Sequence, residues 1–291
     1  MGKKLSDIKD LRITECLADN CINDLGGNFW NNFIELNIDD VKSNGYSVYY
    51  NSNHPDKRSL PDPDACSERL YEFHGVLWKK QRNKAKFREL ELPEVEICKK
   101  SIRYKLNGKN ITLGSDSIMN IYWHRTSGNM PEIIKKISRT KSDYKDFIKE
   151  YLKKANTIGG FILFPRHANS INQNRAKKPF ADRFDLALEC IRRAFINESF
   201  SNNNQLFNTA TEDKDFFKIF ETFENYTKFF CLDNSWVKDG QVLNLMNNDP
   251  LYDYDFFQEP LPKDSDEWQT FYDNIMDRLK ARNKQIEKLL R

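Results

Sequence analysis

"SIRYKLNGKNITLGSDS", residues 101–117, decides the fold class. Two runs of alternating apolar and polar residues flank Asn107-Gly108. Alternation with a period of two puts one set of side chains on each face of a strand. Asn-Gly suits a two-residue hairpin turn, because both turn residues take positive φ there. The stretch therefore predicts an antiparallel hairpin. Upstream, "ERLYEFHGVLWKK" (68–80) spaces Leu70, Phe73, Val76 and Leu77 for a helix, and "KFRELEL" (86–92) alternates like a strand. Downstream, "TIGGFILFP" (157–165) reads as a short buried strand with Gly159 and Gly160 inside it, closed by Pro165. "GSDS" (114–117) ends the hairpin and caps a following helix through Ser115 or Ser117.

Most other segments carry helical spacing. Residues 5–24 do, and so do 131–155, with Ile133, Ile134, Ile137, Phe147, Ile148 and Leu152 on the buried side. "PFADRFDLALECIRR" (179–193) predicts a helix from about 180 to 197, and a last helix spans about 265–290. "DKDFFKIFETFENYTKFFC" (213–231) packs seven aromatics into nineteen residues, with Phe216, Phe220, Phe223 and Phe230 facing the core. "IMNIYWHRTSGN" (118–129) fits helix and strand equally. Residues 45–67 carry three prolines and read as a surface arm. A short hairpin among many helices is an α+β pattern. The expected architecture is one domain over 1–291, a small mostly antiparallel sheet packed by several helices, with an N-terminal helix and wrapping arm (1–65) and a core (66–291).

The 291 residues suffice for a substantial core. Charged residues make up 31% and the mean hydropathy is −0.76, so the exterior is heavily solvated. No apolar run approaches the ~18 residues of a membrane span, so no membrane partner is expected. The opening Met-Gly-Lys-Lys-Leu-Ser lacks the apolar core of a signal peptide. Gly2 and Ser6 fit the loose myristoylation pattern, against which the Asn- and Lys-rich, bacterial style of the chain weighs. Six cysteines without a Cys-x-x-Cys pair exclude a zinc ribbon and read as reduced thiols in a cytoplasm.

Net charge is only +3, but it is lopsided. Lys79–Lys109 holds eleven Lys/Arg against four Glu, and Asp249–Glu267 holds seven acids against one Lys. A basic middle implies a polyanion such as nucleic acid or an acidic protein partner; mutual neutralisation of the two regions is the plainer alternative.

The helix predicted at 180–197 poses the chemical question. Asp182, Asp185 and Glu189 fall on one stripe with Arg193, opposite an apolar half that includes Phe184, Leu188 and Ile191. Like charges at that spacing repel. Three arrangements answer this: a divalent metal, the one cofactor such a stripe would hold; a salt-bridge lattice with nearby arginines; or an anion or nucleotide pocket lined by Arg175, Arg183 and Arg193. The preceding loop, "RHANSINQNRAKKP" (166–179), crowds donors between a buried strand and a packed helix, where ligands often bind. Arg175 and Arg183 would take phosphate and Asn172 would orient the substrate. His74 or His167 would transfer the proton, and Asp182, Asp185 or Glu189 would hold metal or polarise a base. His54 and His124 are the remaining histidines. The loop is not a Walker A sequence and no Gly-x-Ser-x-Gly elbow is present.

Two resemblances add to this. The residues around Phe73-His74-Gly75 resemble the NAD-binding strand of ADP-ribosyltransferases. Over about residues 48–286, the ordered set "FHGVLWKK", "LGSDSI", "IGGFILFP", "SINQNR", "ADRFDLALECIRR" and "PKDSDEW…ARNKQI" resembles an uncharacterised bacterial domain family of hypothetical proteins. In that family the loop arginine precedes a glycine, whereas Arg175 precedes Ala176. The resemblance implies a one-domain unit marked by the loop and helix just described, and no activity. The expected function is an intracellular enzyme on nucleic acid or a nucleotide, nuclease-like and of a defence or toxin type. A non-catalytic nucleic-acid or protein-binding scaffold and an NAD-consuming transferase are its alternatives.

Overall fold

The computed structural model describes residues 68–98, 101–118, 157–167, 169–175, 180, 182–198, 205–251 and 262–290. The helices expected at 5–24 and 131–155, the arm at 45–67, and His54 and His124 lie outside the described residues, as does most of 118–129.

The hairpin forms where its sequence demands it. Strands β1 (Glu96–Cys98), β2 (Ser101–Leu106), β3 (Lys109–Ser117) and β4 (Phe161–Pro165) make one antiparallel sheet in the order β1-β2-β3-β4. Leu106 pairs with Lys109, and the turn residues Asn107 and Gly108 sit at φ 49° and 78°. Helix α1 (Glu68–Arg82) lies on one face of the sheet. Its Trp78 ring stacks on Tyr104 at 6.1 Å, and the Tyr71 hydroxyl accepts from the Ser115 N–H at 3.2 Å.

The other face is covered by α2 (Ile171–Arg175) and α3 (Phe184–Phe195), with the Phe184 ring 6.5 Å from Phe164. Around α3 pack α4 (Gln205–Glu212), α5 (Lys214–Lys218) and α6 (Phe223–Phe229), followed by a small β5–β6 hairpin (Val237–Lys238, Gln241–Val242). Helix α7 (Ser265–Leu290) runs against α1 and the turn before β4. Phe216, Phe220, Phe223 and Phe230 are all buried in a large core that α3 crosses. This is an α+β fold: a small antiparallel sheet packed by helices.

Several local expectations are corrected. "KFREL" is a 3-10 turn (Ala85–Leu90) rather than a strand; Phe87 is buried in the core with Leu90 packed against it, and Glu91 at φ 48° ends it. Ser115 and Ser117 belong to β3, so they cap no helix. The aromatic run splits into α5 and α6, broken where Glu221 takes φ 62°. Helix α3 starts at Phe184, and Asp182 precedes it at φ 57°.

Gly159 and Gly160 form a 3-10 turn before β4, and what approaches Gly159 is the Asn283 side chain of α7. Asn283 Oδ1 accepts from the Gly159 N–H at 2.8 Å, and its Nδ2 donates to the Thr157 hydroxyl at 2.7 Å. A Cβ at Gly159 would lie 2.5 Å from Asn283 Oδ1. Gly159→Ala therefore displaces Asn283 and costs about 1–3 kcal/mol. Asn283→Ala costs a similar amount, and in the double variant the two losses fall short of their sum. Urea unfolding of the three variants measures this.

Candidate functional site

The acidic stripe lies inside the protein. Arg183 precedes α3 and is fully buried; its Nε and Nη2 donate to the two oxygens of Asp185 at 3.1 and 2.5 Å, and Nη2 also donates to Asn244 Oδ1 at 2.8 Å. Asp185 Oδ2 accepts from the Leu245 N–H as well, at 2.8 Å. Arg278 of α7 holds the same turn through the carbonyls of Leu243 and Asn244, both at 2.9 Å. Glu189 is gripped by two arginines: Arg192 bonds both its oxygens at 2.8 and 2.9 Å, and Arg193 Nε donates to Oε1 at 2.8 Å. Arg175, 1% exposed, lies 3.1 Å from Asp182 and 2.8 Å from Asp116, and donates to the carbonyls of Ile118 and Ser117.

Arg175, Arg183, Arg193, Asp182, Asp185 and Glu189 are thus paired and buried, each cation against an acid of this chain. Of the arrangements open for the stripe, its charges form the salt-bridge lattice, in the interior, and Asp182 stands outside the helix. These guanidinium groups are engaged by acceptors of this chain. Among the described residues no cluster of His, Cys, Asp and Glu is arranged to hold a metal ion. The side chain of Asn172 lies outside what the structure describes.

His167 is placed differently. It follows β4 at the start of the donor-rich loop, with its side chain 44% exposed. Its Nε2 is 2.6 Å from Asp213 Oδ1, and that carboxylate is 1% exposed. Asp213 Oδ2 accepts from the Ile171 N–H at 3.2 Å, which ties the acid to the head of α2. Burial raises the Asp213 carboxyl above its ordinary range, and the bonds to His167 and Ile171 pull it back in part. An exposed imidazole oriented by a buried acid is the arrangement that proton transfer requires.

The residue before it is a cation, Arg166. Arg166 N donates to the Thr112 carbonyl at 2.8 Å, extending the β3–β4 register by one position. Thr112 pairs with Arg103, so Arg103, Thr112 and Arg166 form one row across the sheet, on the face opposite Ile102 and Leu113. The stem of Arg166 crosses Gly114, whose absent Cβ leaves it room. Arg103 and Arg166 are exposed, as are Asn169 and Gln173.

His74 is interior. Its Nε2 lies 2.9 Å from the Ser115 hydroxyl, and burial, with nearby Arg282, brings its pKa down to about 3. Phe73-His74-Gly75 is helical, so it does not supply the strand that the ADP-ribosyltransferase resemblance implied.

The chain matches the model of a Family of unknown function (DUF6994) over residues 47–286. It belongs to DUF6994. No curated protein and no solved structure matches it. Among the described residues of this DUF6994 chain, no helix is long and apolar enough to cross a membrane.

Asp213 was not legible in this DUF6994 sequence, because an acid between Glu212 and Lys214 reads as one more exposed charge. Its partner His167 stands 46 positions away. Neutral His74 carries a consequence of its own. Its pKa is 6.5 in the unfolded chain and about 3 in the folded one, so only the unfolded chain is protonated between those values. The His74 contribution is complete above pH 6.5 and is lost as pH falls toward 3. Across that window the unfolding constant rises by up to about tenfold per pH unit from this group. The difference in urea midpoints between wild type and His74→Phe, followed from about pH 7 to about pH 4, measures it.

Proposed function

We propose that this DUF6994 protein is an acid–base enzyme acting on a phosphate-bearing substrate, a nucleotide or nucleic acid, with His167 as its proton carrier. The observation that carries the reading is the half-exposed His167 imidazole held at 2.6 Å by the buried Asp213. Asp213 fixes the tautomer with the proton on Nε2, which leaves Nδ1 facing outward as a base. That nitrogen takes a proton from a water or a ribose hydroxyl attacking phosphorus; the P–O bond to the leaving group breaks, and the departing oxygen takes a proton from the imidazolium or from water. Arg103 and Arg166, both exposed, are the cations assigned to the phosphate, which guanidinium groups bind by paired donors. The basic stretch supports the same reading: Lys79, Lys80, Lys84, Lys86, Arg88, Lys105 and Lys109 are all exposed.

Those exposed cations also favour a second reading, a nucleic-acid binder without turnover. One experiment separates the two. The protein and His167→Gln are incubated with labelled RNA, DNA, nucleotides and NAD, with and without magnesium or manganese. Binding is followed against salt, since phosphate contacts weaken steeply with ionic strength. The enzymatic reading expects turnover by wild type and none by His167→Gln, with binding retained. Salt-sensitive binding with no turnover of any probe leaves the binder, and turnover that survives His167→Gln removes this site from the chemistry.

A further inference from the structure

A cavity of about 20 Å³ opens between α1 and α7, far from the acidic lattice in its lining and independent of the His167 reading. Its lining includes Leu77 and Leu289, both half-buried, and the buried Arg282, His74 and Cys231.

Arg282 is unlike the arginines of the lattice. It is 3% exposed, and its Nε donates to the Phe230 carbonyl at 2.9 Å. Nη1 donates to the carbonyls of Gly159 and Phe161, both at 2.7 Å. Among the described residues no carboxylate pairs with this guanidinium and no acceptor meets Nη2. A cation removed from water without a counter-charge is costly. Burial brings Arg282 down to about 10, so it still carries its proton at neutral pH. The titratable groups that face it supply no charge: burial pushes the Cys231 thiol and the Tyr226 phenol up, and holds His74 neutral. When the Ser115 hydroxyl donates to His74 Nε2, the ring proton resides on Nδ1.

We propose that this cavity is a monoanion site, in which Arg282 Nη2 and His74 Nδ1–H grip an anion no larger than a halide or a carboxylate head. The volume suits one small occupant, which favours a halide or a carboxylate head over the larger phosphate and sulfate. Leu77, Ile286 and Leu289 make much of the remaining lining apolar, which favours an anion that sheds its water readily or one carried on a short hydrocarbon chain.

The test compares thermal unfolding of the full chain in sodium chloride, sodium butyrate and sodium gluconate at one ionic strength. Gluconate is the reference, because its hydroxylated chain does not suit an apolar lining. Leu77→Trp, which puts a bulky ring into the lining, is measured alongside and cancels any general salt effect. At about one hundred times Kd, a bound anion lowers the unfolding constant about a hundredfold. The expected result is stabilisation by chloride in wild type and none in Leu77→Trp, with a bromide peak beside Arg282 in soaked crystals. Equal stabilisation by butyrate assigns the site to carboxylate heads as well; chloride alone restricts it to halides. Identical midpoints in all three salts, the same chloride effect in Leu77→Trp, or crystals without bromide in the cavity overturn the proposal. The bromide experiment stands even if the tryptophan variant does not fold.

Discussion

Arg183→Ala lowers the free energy of unfolding by about 3–5 kcal/mol, the cost of leaving one member of a buried ion pair alone. Arg183 and Asp185 are both fully buried, and they meet through two hydrogen bonds. Without the guanidinium, Asp185 keeps only the Leu245 N–H among its bonds described above, and Asn244 Oδ1 keeps only the Met246 N–H. The turn at 243–248 then loses its side-chain tie to Arg183, while Arg278 and Asn274 still hold it to α7. Replacing both members with apolar residues, as in Arg183→Met with Asp185→Leu, recovers most of the loss because no charge is stranded. Urea unfolding at an unchanged m-value reads the effect. A loss under about 1 kcal/mol, the scale of an exposed pair, would falsify the lattice.

His167→Gln reduces turnover on a phosphate substrate by about 10²–10⁴-fold, the usual share of a positioned acid–base group. Glutamine is chosen because its amide can still donate to Asp213, where alanine would leave a buried carboxylate short of a partner. The melting temperature therefore holds while the chemistry goes. Asp213→Asn gives a smaller loss in turnover and a changed pH–rate profile, since the ring is no longer held in one tautomer. A purely structural link between the loop and the head of α5 would show the opposite pattern, with both variants unstable and equally active per folded molecule.

What could be read from the sequence was what neighbouring residues decide together. Asn107-Gly108 dictates positive φ at two adjacent positions, so the hairpin was legible, and the spacing of Phe184, Leu188 and Ile191 marked α3. "KFREL" alternates as a strand does, yet the geometry there is decided by Phe87 reaching the core and Glu91 entering the left-handed region. The lattice was legible as one of three arrangements, and its Glu189–Arg193 pair followed from i,i+4 spacing. Burial of that stripe was not legible, because Asn244 and Leu245 arrive from some sixty positions away. For the same reason helical spacing could not show Asp182 leaving the helix: its acid bonds Arg175, and the backbone turns to bring it there.

The bonds of α7 bear on how the chain is made. Arg282 and Asn283 reach back more than a hundred positions, to Gly159, Phe161 and Thr157, and Arg278 reaches the turn at 243–248. During synthesis the sheet and the aromatic helices emerge long before these side chains exist. Such distant closures are slow, and the half-built apolar layers stay sticky meanwhile. A nascent chain halted before Arg278 is thus an aggregating species and a client for chaperones, and only the arrival of that late helix turns it into a folded protein.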